Sequence, residues 1–255
     1  MTLQADLQGH CALVTGASGT FGAHFATVLA GAGASVVLAA RRVETMQVLA
    51  ERLTATGAAV AVVPLDITAT HSIEAALDAV PPSFGVVDIL VNNAGANHSA
   101  AALEQTAAQW DEVLDTNLKG AFFLSQAVAL RLIAAGRSGS IINIASVLGL
   151  RQSLAVTPYA ISKAGLIQLT RQLALEWARH EIRVNAIAPG YFLSDMNRYY
   201  FDTPPGQALL KRVPQRRLGQ PTDLTGPLLL LASSASAFMT GAVLSVDGGH
   251  AVSTL

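Results

Sequence analysis

The chain has 255 residues, 51% of them hydrophobic and 13% charged, with a formal net charge of −1. That is length enough for one large α/β domain, and the charge balance excludes the electrostatic footprint of a nucleic-acid or anionic-membrane binder. The only cysteine, Cys11, lies in the apolar run HCALV, which excludes an internal disulfide and predicts a small buried hydrophobe.

The N-terminus, MTLQADLQGH, lacks the basic start and apolar core of a signal peptide. The runs VVLAA and GPLLLLAS are too short to span a membrane. A soluble, cytoplasmic protein with a small-molecule ligand is expected. Basic residues gather at Arg41-Arg42 and in KRVPQRR, 211–217, and the second group reads as a solvated face.

In chain order the strand candidates are HCALVTG, ASVVLAA, AVAVVPLD, VDILVNNAG, GSIINIAS, IRVNAIAPG and AVLSVDGG. They are continuous apolar runs rather than alternating ones, as strands buried on both faces are. Residues 22–34 and 104–136 carry apolar side chains at three- and four-residue spacing between them. Strand and helix in alternation predict a doubly wound α/β fold, a single domain over 1–255. Residues 191–215, with Tyr191, Tyr199, Tyr200, Phe201 and a Pro204-Pro205-Gly206 turn, depart from the pattern. They are expected to form a lid over the carboxyl edge of the sheet, where ligands bind in such folds.

The first strand runs into VTGASGTFG, 14–22, and then a helix. Such a turn can offer backbone N–H groups to an anion at a helix N-terminus, or be only a tight connection needing positive φ. Its position in the first strand of a doubly wound sheet favours a pyrophosphate. Gly16 and Gly22 suit the turn and the close helix packing. Thr20 stands where a middle glycine would let backbone approach, with Gly19 beside it, and its hydroxyl could donate to a phosphate oxygen. Ser18 and Phe21 complete the predicted cradle.

The second strand ends Ala39-Ala40 and is followed by Arg41 and Arg42. A carboxylate there would hold a ribose 2′-hydroxyl and repel a 2′-phosphate, whereas guanidinium takes the phosphate bidentately. The alternative is two solvated arginines opening a helix. The missing acid favours NADP over NAD.

In TPYAISKAGL, 157–166, Tyr159 and Lys163 lie one helical turn apart, about 6 Å along the axis. A free phenol, with a pKa of roughly 10, is a poor base near neutrality. A cation about 4 Å away is worth roughly 4 kcal/mol at an effective dielectric near 20, about three pKa units. Lys163 is therefore expected to lower the Tyr159 pKa. Taken alone, the pair reads rather as a surface tyrosine with a helical neighbour. Ser146 ends the strand GSIINIAS, Asn117 lies mid-helix in DTNLKG, and Asn92-Asn93-Ala94-Gly95 closes the fourth strand. A mid-helix asparagine can also be a kink residue bonded to its own backbone.

TGASGTFG, LDI, NNAG, DTN, IINIAS, YAISK, APGYFLSDM and VDGG occur in this order from about Gly9 to Gly249. In that ordered set the chain resembles the short-chain dehydrogenase/reductase family, a single-domain Rossmann fold with a seven-stranded parallel sheet. The resemblance implies that Tyr159 is the general acid/base, Lys163 lowers its pKa and holds the nicotinamide ribose, Ser146 orients the reacting oxygen, and Asn117 holds a proton-relay water. It implies that Asp66 meets the adenine amino group beside Ile67, that Asn93, Ala94 and Gly95 line the cofactor, and that Pro189, Gly190, Phe192 and Ser194 hold its carboxamide end. Thr20 stands where the family usually has glycine, Ser194 where threonine is usual and Ala145 where serine is frequent. A homotetramer is implied, with a dimer as the alternative.

Substrate-facing candidates are Asn97, His98, Leu148, Arg151, Gln152, Tyr191 and Met196. His98 either bonds a substrate hydroxyl or sits on a solvated loop, and Arg151 either pairs a carboxylate or lies at the surface. APGYF and RVPQRRLGQP resemble the branch that includes gluconate 5-dehydrogenases and, more widely, 3-oxoacyl carrier-protein reductases. A polar hydroxy or keto acid is expected, with a 3-oxoacyl thioester as the alternative and a non-catalytic nucleotide-binding protein behind it. No metal ligand set is expected.

Overall fold

A computed structural model describes residues 5–193 and 198–253. Seven parallel strands form one sheet: β1 (Cys11–Thr15), β2 (Ser35–Ala40), β3 (Val60–Pro64), β4 (Ile89–Asn92), β5 (Gly139–Ile144), β6 (Ile182–Pro189) and β7 (Val243–Val246). Their order is β3-β2-β1-β4-β5-β6-β7, so the chain reverses direction across the sheet between β1 and β4. That reversal leaves a crevice at the carboxyl ends of β1 and β4. Each strand coincides with one of the seven apolar runs.

Among the described residues nine α-helices connect and flank the strands: α1 (Thr20–Gly31), α2 (Val43–Thr54), α3 (Thr70–Asp78), α4 (Ala107–Leu114), α5 (Gly120–Ala134), α6 (Thr157–Trp177), α7 (Arg198–Phe201), α8 (Pro204–Leu210) and α9 (Thr225–Ala232). The pleat sorts the strand residues to two faces. Ala12 and Val14 pack with Phe25, Leu29, Met46 and Leu228, under α1, α2 and α9. Cys11 and Leu13 pack with Ile73, Leu124, Val128 and Leu173, under α3, α5 and α6. This two-sided burial is why the strands read as unbroken apolar runs. Cys11 is fully buried, and burial with Asp88 nearby pushes its thiol pKa up to about 12. The thiol is packing, not chemistry.

The stretch 104–136, continuous in its hydrophobic spacing, is broken in the structure. Thr106 caps α4 in a capping box with Gln109, and a π turn at Asp115–Lys119 separates α4 from α5. Gly120 follows at a close approach: a Cβ there would lie 2.5 Å from the Ile67 carbonyl oxygen. Pro204 and Pro205 open α8 rather than interrupt a helix, since the first turn needs no proline N–H. The base of this excursion is pinched by two backbone bonds, Leu193 N to Gly219 O and Gly219 N to Tyr191 O. Among the described residues no helix is long and apolar enough to cross a membrane.

Candidate active site

The crevice at the β1–β4 reversal is a cleft of about 640 Å³. Its floor is tied by Thr15, which is fully buried. The Thr15 hydroxyl accepts from the backbone N–H of Asn93 and of Ala94, each at 2.9 Å, and donates to Val91 O at 3.2 Å. The Asn93 amide donates to the carbonyls of Thr15 and Gly16. Gly16 has φ +63, and a Cβ on it would sit 3.0 Å from Ala94 Cα. A Cβ on Gly22 would lie 2.3 Å from Gly16 O, so α1 packs directly on the turn. Two glycines are thus needed for two reasons, left-handed backbone and helix approach.

Gly19 is the N-cap of α1, with no side-chain cap and no acid in the first turn. The helix start thus faces the cleft undefended by any anion of its own. Ser18, Gly19, Thr20 and Phe21 line this wall, and Thr20 is exposed on the lip. The Phe21 ring stands edge-on to Phe192, 5.3 Å between centroids, and so joins the turn to the opposite end of the cleft.

Ala39, Ala40, Arg41 and Arg42 line the outer end, and Asp66 and Ile67 the side wall. Asp66 accepts from the Thr68 N–H at 3.0 Å and from its hydroxyl at 2.7 Å. Those two bonds hold its carboxyl below the usual range, and the positive charge of Arg41 adds to the effect. Gly190, Tyr191 and Phe192 complete the lining, while Gly22 and Pro189 stand behind it as packing. Ser194 and Met196 lie outside the described residues.

The inner end of the cleft leads to the candidate acid/base group. A Cβ on Gly95 would lie 3.4 Å from Asn117 Oδ1 and 3.8 Å from Lys163 Nζ. Ser146, Tyr159 and Lys163 stand just beyond the cleft lining, brought together by the end of β5 and the first turns of α6. Ser146 accepts from Leu148 N at 3.1 Å, which leaves its own hydroxyl proton to donate. A Cβ on Gly149 would lie 2.8 Å from the Lys163 backbone, so the turn after Ser146 is pressed against α6.

Asn117 is not a self-bonded kink residue. It is buried within the π turn, accepts from Ala96 N at 2.7 Å, and donates to Ala96 O and Ser162 Oγ, each at 2.9 Å. π turns recur at functional sites because they aim side chains away from the regular ladder. Lys163 is 4% exposed, and its ammonium donates to Ile144 O at 2.7 Å. Burial lowers its pKa to about 8.

The expected lowering of the Tyr159 pKa is reversed here. Burial pushes the phenol up, the Ser146 hydroxyl beside it opposes, and Tyr191 adds to the rise. Lys163 Nζ lies 5.6 Å from the Tyr159 ring centroid and donates to Ile144 O. Desolvation by burial outweighs the Ser146 hydrogen bond.

The substrate-side candidates divide. His98 is neither free nor merely solvated: its Nε2 pairs with the Glu112 carboxylate at 2.7 Å. Arg151 is not a free surface residue. Its Nη1 donates to His250 O and Ala251 O at 3.2 Å and Ser253 O at 2.9 Å, strapping the C-terminal segment to the turn after Ser146. Tyr191 stands edge-on to His250 and to Phe201. Asn97 and Gln152 are exposed and Leu148 is half-buried.

The sequence reading missed Thr15 and a buried amide ladder. Asn92 donates to Ser125 Oγ at 2.9 Å and Asn143 Oδ1 at 2.8 Å, and Asn143 donates to Thr170 Oγ1 at 2.9 Å. It joins β4, β5, α5 and α6 beneath the site. Polar residues inside apolar strand runs were the available signal, since buried amides need partners. Among the described residues no group of three or more His, Cys, Asp or Glu could hold a metal.

The short-chain dehydrogenase family model matches residues 10–205. The chain belongs to the short-chain dehydrogenase family. This short-chain dehydrogenase is 42% identical over 245 residues, 96% of each chain, to the 2-dehydro-3-deoxy-D-gluconate 5-dehydrogenase of Escherichia coli (strain K12). It is 39% identical over 244 residues, 96% of this chain and 98% of the relative, to a 3-oxoacyl-[acyl-carrier-protein] reductase of Vibrio cholerae. Its fold superposes with a TM-score of 0.93, at 37% identity and 98% coverage of both chains, on a gluconate 5-dehydrogenase from Burkholderia cenocepacia in complex with NADP and tartrate.

Proposed function

We propose that this short-chain dehydrogenase is an NADP(H)-dependent ketone reductase and secondary-alcohol dehydrogenase acting on a polar hydroxy or keto acid of the sugar-acid kind. The carrying observation is a cleft with two arginines following β2 and no acid closing that strand, and with Lys163, beside Ser146 and Tyr159, just beyond its inner end at Gly95. The residues present fit a dinucleotide: a glycine turn that a Cβ would fill, an uncapped helix start, and guanidinium groups for a 2′-phosphate.

NADPH, when bound, supplies the hydride. The protein's part is proton transfer and positioning. Ser146, whose hydroxyl stands beside the Tyr159 phenol, orients the substrate oxygen. Tyr159 gives its proton to that oxygen in reduction and removes the alcohol proton in oxidation. Lys163 keeps two ammonium donors beyond the one held by Ile144 O, enough for ribose hydroxyls. Asn117 fixes Ala96, and with it the segment that lines the inner cleft. Residues 191–215 are proposed as the lid.

The gluconate-type relatives favour a sugar acid, and the Vibrio cholerae relative keeps a 3-oxoacyl thioester as the second reading. The test is NADPH oxidation with 5-keto-D-gluconate and acetoacetyl thioester, and NADP reduction with 2-dehydro-3-deoxy-D-gluconate, with the NAD couple in parallel. Reduction of a keto acid with NADPH is expected. Turnover of the thioester alone would move the protein to the second reading. Binding of NADPH with silence across all three would count against catalysis.

A cytoplasmic homotetramer is also proposed. Leu130 and Ile133 on α5 and Leu175 on α6 are exposed, 62%, 41% and 77% respectively, on helices flanking the same face of the sheet. Apolar side chains grouped in this way suit a subunit contact. Light scattering on the purified protein is expected to return four chain masses. Two would indicate the dimer, and one would remove the proposal.

A further inference from the structure

Ala155 adopts φ +61, a left-handed backbone that side chains other than glycine disfavour. It lies four residues before Tyr159, in the connection between β5 and α6. The conformation has a visible result. The Ala155 carbonyl accepts from Ala100 N at 3.0 Å and from Ser99 Oγ at 3.3 Å. Ser99 and Ala100 belong to the segment after β4, which is anchored elsewhere by Asn117 at Ala96 and by Glu112 at His98. The two segments flank the reacting centre, because one begins at Ser146 and the other leaves Gly95. The hydrogen bonds that cross-link them among the described residues end on this carbonyl, and a strained alanine aims it.

We propose that the Ala155 carbonyl is a latch between the two walls of the substrate pocket, and that the left-handed backbone at 155 is kept in order to close it. Ala155 is then a positioning residue that sets pocket width, hence substrate affinity, without touching cofactor or reacting atoms. The inference rests on the reading of Ser146 and Tyr159 as the reacting centre.

Three variants separate the latch from general stability. Ala155→Val places a β-branched residue where the left-handed region is closed to it. Ala155→Gly accepts the same backbone without strain. Ala100→Pro removes the donor N–H and leaves residue 155 untouched. Hydrogen exchange without any ligand is expected to show the Ala100 amide protected in the wild type and in A155G. In A155V it should exchange at least about tenfold faster, as an opened local bond does. With the ketone that the wild type reduces fastest, KM is expected to rise about tenfold in A155V and A100P, with kcat within about threefold. NADPH affinity should be unchanged in both, and A155G should match the wild type. Equal Ala100 protection in A155V and the wild type would overturn the latch, and so would an unchanged KM once protection is lost. If the wild type reduces no ketone, the catalytic reading has failed, and the exchange data still decide whether the latch exists.

Discussion

Replacing Tyr159 with phenylalanine lowers kcat by about 10²–10⁴-fold and leaves NADPH affinity within about twofold, the expected loss for a general acid. The ring keeps its packing at the start of α6, so the fold tolerates the change. Lys163 keeps its bond to Ile144 O, and the cleft lining from Gly16 to Gly95 is untouched. Only the phenol beside Ser146 is lost. The pH dependence follows from the direction of the Tyr159 shift. Burial raises its pKa, so the phenol carries its proton at neutral pH. Reduction needs that proton and should stay level from about pH 6 to 8, whereas oxidation needs the phenolate and should climb towards about tenfold per pH unit. Steady-state rates in both directions, with binding followed by NADPH fluorescence, check this. Wild-type-like turnover in the variant, or oxidation that falls with rising pH, would sink the assignment.

Arg41→Ala weakens NADPH binding about 10- to 100-fold and NADH binding by less than about twofold, the worth of one or two charge-assisted hydrogen bonds. The parallel register of β2 on β1 sets Ala39 beside Thr15, which carries Arg41 to the outer end of the cleft that begins at Gly16. Removing the guanidinium also strips Asp66 of its neighbouring positive charge. The uncompensated carboxylate then repels a 2′-phosphate, so both consequences of the change act in one direction. Titration of each cofactor against the variant decides it. Equal losses for NADPH and NADH would falsify the 2′-phosphate role and leave Arg41 a surface residue.

All seven strands and the main helices were legible in the chain itself. Buried parallel strands need apolar side chains on both faces, and β-branched residues with flanking turn signals set those runs apart from a buried helix segment such as α9. Gly16 and Gly22 were legible for a similar reason, since left-handed backbone and close helix approach exclude a Cβ. The Tyr159–Lys163 spacing placed both residues on one side of α6. These are local demands, each met within a few neighbouring residues.

What the tertiary structure decided depended on partners far away in sequence. Asn117 looked like an awkward helix residue until Ala96 and Ser162 were seen to satisfy it. Arg151 could have been a loose surface residue, and three C-terminal carbonyls hold its Nη1 instead. The sign of the Tyr159 shift turned on desolvation, which spacing along a helix does not encode. The latch at Ala155 needed a loop fifty-five residues earlier to give its strained carbonyl a purpose. Sequence alone therefore determined the fold class and the family resemblance, and it named candidates for the cleft. Their charge states and hydrogen-bond partners were set by burial and by contacts between distant segments, which exist only once the chain has folded.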